Sequence, residues 1–409
     1  MKVEIPIWKA LIILVVIFSI TGIISAENKD TTSFLQKHRF VHRVGIDIRP
    51  EYIIPAHKFF KGENEKMKPI RNSFSSHIKY SFQSHQGSEM DRIFGGAYQG
   101  IGLAYFTFGE KKSLGNPIAF YMFQGARLAN LNTQVSFNYE WDFGLSAGWE
   151  PHDFSTNSYN VIIGSKVNAF INTNLYLNWI LSQKFDLTTG VTLTHFSNGN
   201  TQFPNVGLNS VGLNAGLIYN FNRNNRLLPK TSYWHIPEFP RHISYDLLLF
   251  GSFRRKGVAN GEERIASPHS YTVLGFNFAP MYNIGYKFRG GISLDGFYDG
   301  SNNVYIPPYI VGTSPKFMKP PFREQLALGI SGRAEYVMPY FSVNLGMGIN
   351  VLGRGEDVKT LYHILALKIN TTRHTFIHIG YRLQDFDNPS FLMLGIGLRF
   401  NNKYPSLRQ

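Results

Sequence analysis

The chain contains no cysteine. That excludes a disulfide scaffold, a Cys-ligated zinc site and a cysteine nucleophile. Charge is scarce as well. Only 17% of the 409 residues are Asp, Glu, Lys or Arg, whereas 15% are aromatic. Such a composition belongs to a folded chain, not a disordered one. Beyond the N-terminus no apolar run reaches the roughly 18 residues that a membrane-spanning helix needs. No H-E-x-x-H, phosphate-binding loop or dinucleotide fingerprint occurs, and the 13 His residues are scattered without metal-ligand spacing. Neither cofactor nor metal is therefore expected. What the chain has in excess is positive charge, with Lys and Arg at 41 against Asp and Glu at 27. Charge alone favours an anionic partner without choosing between nucleic acid and acidic lipid.

Residues 1–26 narrow that choice. Lys2 and Lys9 precede an apolar stretch from Ala10, which closes on the small residues Ser25 and Ala26. This is the three-part pattern of a secretory signal peptide, removed on export, with an uncleaved membrane anchor as the rival reading. No Cys follows for lipid attachment. An exported protein seldom meets nucleic acid, so the basic excess points to anionic lipid or polysaccharide.

Residues 27–409 are dominated by strict alternation, the period of a strand with two unlike faces. Over residues 135–149 the odd positions include Val135, Phe137, Tyr139, Trp141, Phe143, Leu145 and Trp149, against Ser136, Asn138, Glu140, Asp142 and Ser146. Residues 171–181, 185–195, 208–221, 341–351 and 392–400 repeat the theme. The polar face is mostly Gly, Ser, Asn and Thr. Small polar side chains suit a crowded barrel lumen, with the apolar face turned to lipid, and closure is required because an open sheet edge cannot sit in hydrocarbon. The expectation is all-β: one transmembrane antiparallel β-barrel of about 14 strands (roughly 12–16), an even number. Charged or Pro/Gly-rich stretches at 58–71, 109–116, 222–241, 254–268 and 312–323 are loops on this reading.

The chemistry concentrates in residues 185–221. On the first strand of this hairpin, Leu187, Val191, Leu193, His195 and Ser197 share one parity. On the second, Asn209, Val211, Leu213 and Leu217 share theirs. A two-residue step keeps side chains on one face, so His195, Ser197 and Asn209 all fall on the apolar, lipid-facing side. The turn between them, with Gly199, Pro204 and Gly207, returns Asn209 beside His195. A Ser hydroxyl needs a base to become a nucleophile, and a base needs a third group to fix its tautomer. His195 and Asn209 fill those roles for Ser197. Asn198 and the amides of Gly199 and Asn200 are placed to donate to a developing oxyanion. The bland alternative is a His and a Ser at a strand end in the headgroup zone, beside an Asn/Gly turn. Three polar groups on a lipid face are costly unless used, which favours the site.

These residues carry a resemblance. His195-Phe196-Ser197-Asn198 followed by Pro204-Asn205-Val206-Gly207-Leu208-Asn209-Ser210 resembles the H-x-S-N and P-N-x-G-x-[E/N]-S elements of the lipid A 3-O-deacylase (acyloxyacyl hydrolase) family of outer-membrane barrels. The family core corresponds to residues 90–221. Segments around 71–77, 91–105 and 139–149 are similar to long Bacteroidetes-type members, whose C-terminal half is further barrel. The resemblance implies Ser197 as nucleophile, His195 as base, Asn198 as oxyanion donor, lipid A of lipopolysaccharide as substrate and the outer membrane as location. The best-known members carry Glu where this chain has Asn209, which leaves the orienting residue open. Outer-membrane phospholipase A also uses H-x-S-N-G with an Asn at the spacing of Asn209. That family needs calcium and dimerises, and its calcium ligands have no counterpart here. A porin-like barrel without catalysis is the third reading. Oligomeric state is not legible.

One other motif, Gly144-Leu145-Ser146-Ala147-Gly148, matches the G-x-S-x-G nucleophile elbow. That elbow needs a strand–turn–helix setting, whereas Ser146 lies inside a long alternating strand. Glu140 and Asp142 share its lumen face, where salt bridging is expected. Mass analysis of the mature protein's N-terminus tests the export reading: it should begin at Glu27 or within a few residues.

Overall fold

The computed structural model describes residues 40–405 except 86–87, 224–235, 262, 311–312, 354, 356 and 385–387. The signal-peptide segment and most of the 222–241 loop therefore lie outside the described residues. Eight strands, β1 (Phe40–Ile53), β2 (Asn72–Ser84), β3 (Tyr98–Thr107), β4 (Gly115–Asn130), β5 (Val135–Trp149), β6 (Val167–Ile180), β7 (Phe185–Ser197) and β8 (Leu208–Asn220), pair with their neighbours in order. β8 returns to β1 with Leu217 opposite Ile46, closing the first barrel. A second barrel follows from β9 (His242–Arg254), β12 (Tyr271–Asn283), β13 (Phe288–Asp299), β14 (Leu326–Val337), β15 (Phe341–Leu352), β16 (Leu361–Asn370), β17 (Thr375–Gln384) and β18 (Asn388–Phe400). β18 closes onto β9 with Leu394 opposite Gly251. A small ribbon of β10 (Gly257–Asn260) and β11 (Glu263–Ala266) rises between β9 and β12.

The all-β barrel class thus holds, and the sixteen barrel strands reach the upper end of the expected range. The single barrel does not: the strands close twice, eight and eight. Alternation reports which side chains face in and out. It carries no mark of which strand edges meet, and eight strands already make a closed cylinder filled by its own side chains.

Both lumens are packed, with ion groups beside buried aromatic clusters that include Phe106, Phe170 and Phe196 in the first and Phe250, Phe297 and Phe391 in the second. In the first, the Arg49 guanidinium donates to Asp47 at 2.7 Å, Asp142 at 3.2 Å and Asn172 at 2.9 Å, while Lys79 reaches Glu140 at 2.8 Å. Glu140 and Asp142 are therefore salt-bridged, as expected. In the second, Asp246 and Glu335 face Arg289, Lys368 and Arg399. The outer faces are apolar and exposed, as at Leu103, Leu193, Leu213, Leu249, Ile292 and Ile396. An aqueous surface would not favour that pattern, and a bilayer would. Among the described residues no helix is long and apolar enough to cross a membrane.

Trp149 departs from the expected parity. It lies buried among Phe108 and Phe196 with ring centroids 5.3 and 4.9 Å away. Gly148, at φ 99°, breaks the alternation at the strand end and turns the indole inward. Its Nε1 donates to Ser146 Oγ at 2.9 Å, and Ser146 donates to the Asn168 carbonyl at 3.1 Å. Ser146 is a buried structural hydroxyl, and its hydrogen-bond partners among the described residues are Trp149 and the Asn168 carbonyl.

The turns distinguish the two barrel ends. Links 131–134 and 181–184 in the first barrel, and 284–287, 338–340 and 371–374 in the second, are short. Links 54–71, 150–166, 198–207, 300–325 and 353–360, at the opposite end, are long. Link 85–97 at the first of these ends is long as well; outer-membrane barrels keep mostly short turns on the periplasmic side and long loops outside, a pattern that favours the extracellular side for the end that carries Ser197.

The two barrels meet along apolar outer faces. Trp141 packs edge-on against Phe341 with centroids 5.1 Å apart, and Phe82 against Tyr340 at 6.0 Å. Removing Glu335 tests the lumen argument. Glu335→Ala leaves Arg289 and Lys368 with one buried carboxylate fewer, and breaking such a group costs about 3–5 kcal/mol. Urea unfolding in detergent micelles should show a loss of that order.

Candidate active site

Strand pairing brings the three sequence-derived residues together. His195 on β7 lies directly opposite Asn209 on β8, and Ser197 is one same-face step beyond His195. The His195 Nδ1 sits 2.7 Å from Asn209 Oδ1, and its Nε2 sits 3.0 Å from Ser197 Oγ. A carbonyl oxygen only accepts, so Nδ1 carries the ring proton and donates to Asn209. Nε2 is then left with its lone pair and accepts the Ser197 hydroxyl. This is the protonation pattern in which a His can take a proton from Ser. All three side chains are half-buried on the outer face.

The residue between them anchors the strand. Phe196 points inward and is fully buried, packing on Phe106 at 5.0 Å, Trp149 at 4.9 Å and Phe170 at 5.5 Å between centroids. Aromatic packing of this kind fixes the pleat, and with it the outward aim of His195 and Ser197.

The turn 198–207 is tied to itself. Asn198 N–H donates to Asn205 Oδ1 at 2.9 Å, Asn198 Nδ2 to the Gln202 carbonyl at 2.7 Å, and Thr201 Oγ1 to the Asn198 carbonyl at 2.7 Å. Gly199 and Asn200 adopt φ 64° and 61°, left-handed values that suit Gly and Asn. Asn198 thus spends one amide hydrogen and its main-chain N–H on the turn.

The comparisons with known proteins follow the same division. Residues 80–218 match the family described as lipid A 3-O-deacylase (PagL), and residues 243–402 match the one described as acyloxyacyl hydrolase, C-terminal domain. The chain belongs to the lipid A 3-O-deacylase family. Membership makes it an ester hydrolase that deacylates lipid A at the outer membrane. No curated protein sequence matches it. Among solved structures, Neisserial surface protein A is similar at 8% identity, covering 44% of this chain and 96% of its own, with TM-score 0.27. The siderophore receptor PirA from Pseudomonas aeruginosa is similar at 6% identity, covering 91% and 82%, with TM-score 0.23.

The two family matches fall one on each barrel, and the turn after Ser197 leans on the second. Arg255 N–H, just beyond β9, donates to the Thr201 carbonyl at 3.0 Å. A side chain at Gly199 would meet Tyr381 at 3.2 Å and Leu392 at 3.6 Å, both on the outer face of β17 and β18. A side chain at Gly257 would collide with the Phe203 ring at 2.6 Å.

One supporting residue escapes the sequence reading. Glu51, buried on the inner face of β1, accepts from Thr194 Oγ1 at 2.9 Å and from Ser210 Oγ. Thr194 and Ser210 are the sequence neighbours of His195 and Asn209, so Glu51 clamps this pair from behind. A signal existed: Arg43, Asp47, Arg49 and Glu51 place charges at even spacing on one face of β1. Among the described residues no group of His, Asp or Glu could hold a metal ion.

Gly207 offers a test of this geometry. It has φ 79°, and a Cβ there would lie 3.0 Å from the Phe196 carbonyl and 3.4 Å from the His195 ring. Gly207→Val should displace the imidazole and cut ester hydrolysis by about 100-fold, the scale of a misplaced reacting group. Heat-modifiable gel migration should still report a closed barrel.

Proposed function

We propose that the protein removes an ester-linked hydroxyacyl chain from lipid A by a Ser197-His195-Asn209 mechanism at the extracellular rim. The observation that carries this reading is the unbroken chain from Ser197 Oγ through both ring nitrogens to Asn209, on the face where acyl chains lie. Ser197 Oγ attacks the ester carbonyl as its proton passes to His195 Nε2. Asn209 keeps the ring in the reactive tautomer and stabilises the imidazolium as a dipole. The main-chain amides of Gly199 and Asn200, with the remaining amide hydrogen of Asn198, face the developing oxyanion. His195 returns the proton to the departing sugar oxygen, and water then releases the acyl group from Ser197. The family description favours the 3-O position. Residues 1–26 serve as the cleaved export signal.

Phospholipase action on glycerophospholipids is the second reading, favoured by Asn at position 209. Incubating purified protein with lipid A and, separately, with phospholipid decides between them by mass spectrometry. Loss of one hydroxyacyl mass from lipid A, absent in Ser197→Ala, is the expected result. Cleavage of phospholipid alone would move the activity to the second class, and cleavage of neither would sink both.

Asn209 is open to a graded test. Asn209→Ala removes the tautomer constraint and should lower kcat by about tenfold or more, at about 1.4 kcal/mol per factor of ten. Asn209→Glu restores a charged acceptor and should equal or exceed the parent. Equal rates for parent and Asn209→Ala would remove Asn209 from the site.

A further inference from the structure

The second barrel contributes nothing to the Ser-His-Asn chain, yet its loops wall the space in front of the turn 198–207. A cavity of about 1250 Å³ lies between them. That exceeds the usual few hundred to one thousand Å³ of a small-molecule pocket and has room for a sugar headgroup. The first barrel lines it with Asn200, Gln202 and Asn205, and the second with Arg255, Arg264 and Lys359.

Among the described residues the charges that line the cavity are not balanced. Arg254 and Lys256, also at this cavity, are committed to Asp299 and Asp357. Asp153 is turned into its own loop, accepting from the N–H groups of Ser155 and Thr156 at 2.9 Å. Among the described residues Arg255, Arg264 and Lys359 have no carboxylate partner, and Glu324 is the acid that remains to oppose them. Arg255 is pre-aimed, because its Nε donates to the Ser267 carbonyl at 2.6 Å and its backbone is bridged to Gln202. A guanidinium fork matches phosphate oxygens, and an ammonium serves as a point charge beside it.

The setting selects the ligand. Ser197 faces the lipid side of the rim, while the cavity opens at the long-loop end. A molecule filling both has acyl chains in the bilayer and an anionic sugar above it. We propose that the second barrel is the headgroup reader of this enzyme, holding the phosphorylated sugar of the substrate on Arg255, Arg264 and Lys359 while the acyl ester rests at Ser197. The proposal rests on the lipid A reading above for the identity of the ester, and on the cavity alone for the phosphate.

The test therefore has a binding arm that does not need turnover. Full-length Ser197→Ala protein in detergent is titrated with bisphosphorylated lipid A, with the same lipid lacking phosphates, and with inorganic pyrophosphate. The phosphorylated lipid should bind about tenfold more tightly or better than the dephosphorylated one, and Arg264→Gln/Lys359→Gln should erase that preference; each factor of ten corresponds to about 1.4 kcal/mol. Pyrophosphate should compete weakly. Equal binding of the two lipids by the parent, or pyrophosphate binding as tight as the lipid's, would overturn the proposal. In the active background the double substitution should raise KM for phosphorylated lipid A about tenfold with kcat nearly unchanged, in protein that keeps its heat-modifiable migration. Lys359→Arg should retain the parent KM. A fall in kcat at constant KM would mark these residues as structural and overturn the reading. If the parent cleaves no lipid A at all, the functional reading fails, and the binding arm still decides the cavity.

Discussion

No backbone amide can stand unpaired in hydrocarbon. The rest of this molecule depends on that constraint. It forces every strand to find two neighbours, and the chain meets it by closing twice, β8 onto β1 and β18 onto β9. Closure turns one face of every strand inward, where water is scarce, so each lumen must satisfy its own polar groups. Arg49 among Asp47, Asp142 and Asn172, and Asp246 with Glu335 among three cations, are that solution. These ion groups are weak evidence for extra stability, since desolvation offsets much of their attraction. Their stronger effect is on register: a one-residue slip of a strand that bears one of these groups, such as β1, β5, β9 or β14, would carry its lumen charge into lipid.

Two barrels also create a surface that one barrel lacks. Where their outer walls meet, apolar side chains exchange lipid for protein, and aromatic rings take the contact, as Trp141 does with Phe341. The seam extends to the rim, where the turn after Ser197 rests on Tyr381, Leu392 and the strand end before Gly257. A turn with left-handed Gly199 and Asn200 would otherwise be free on its lipid side. Docking it against a second rigid wall orders its main chain, and on the proposed mechanism ordered donors there stabilise charge without reorganising at the moment of reaction.

The part of this legible in the sequence is the part that repeats locally. The two-residue period separates lumen from lipid, and it places His195, Ser197 and Asn209 on one face. Hairpin geometry then put Asn209 opposite His195, because the intervening turn allows little else. What stayed hidden is long-range. Alternation is the same whether a strand's edge meets β1 or β9, so one barrel and two barrels write the same pattern. Trp149 was misplaced because a single positive φ at Gly148 resets the parity, and a Gly at an even position looks like any other lumen Gly. Glu51 sits more than a hundred residues from the hairpin it braces. The cavity needs loops of both barrels and has no local signature at all.

The Asn at position 209 follows from where the site sits. A carboxylate orienting His195 would be a third polar group, and a charged one, on a face that meets acyl chains and the second barrel. Burying an unpaired charge costs several times more than burying a hydrogen-bonded amide. Asn209 Oδ1 fixes the same tautomer at 2.7 Å without that charge, at the cost of weaker stabilisation of the imidazolium. In a single barrel the outer rim is open to headgroup water and can solvate a Glu there. Tyr381 and Leu392 of the second barrel stand against the turn, and side chains of that kind move the balance toward a neutral acceptor. On the proposed mechanism, the second barrel's wall beside the turn and the uncharged acceptor at residue 209 fit together: a site walled by apolar side chains favours a hydrogen-bonded amide over a charge.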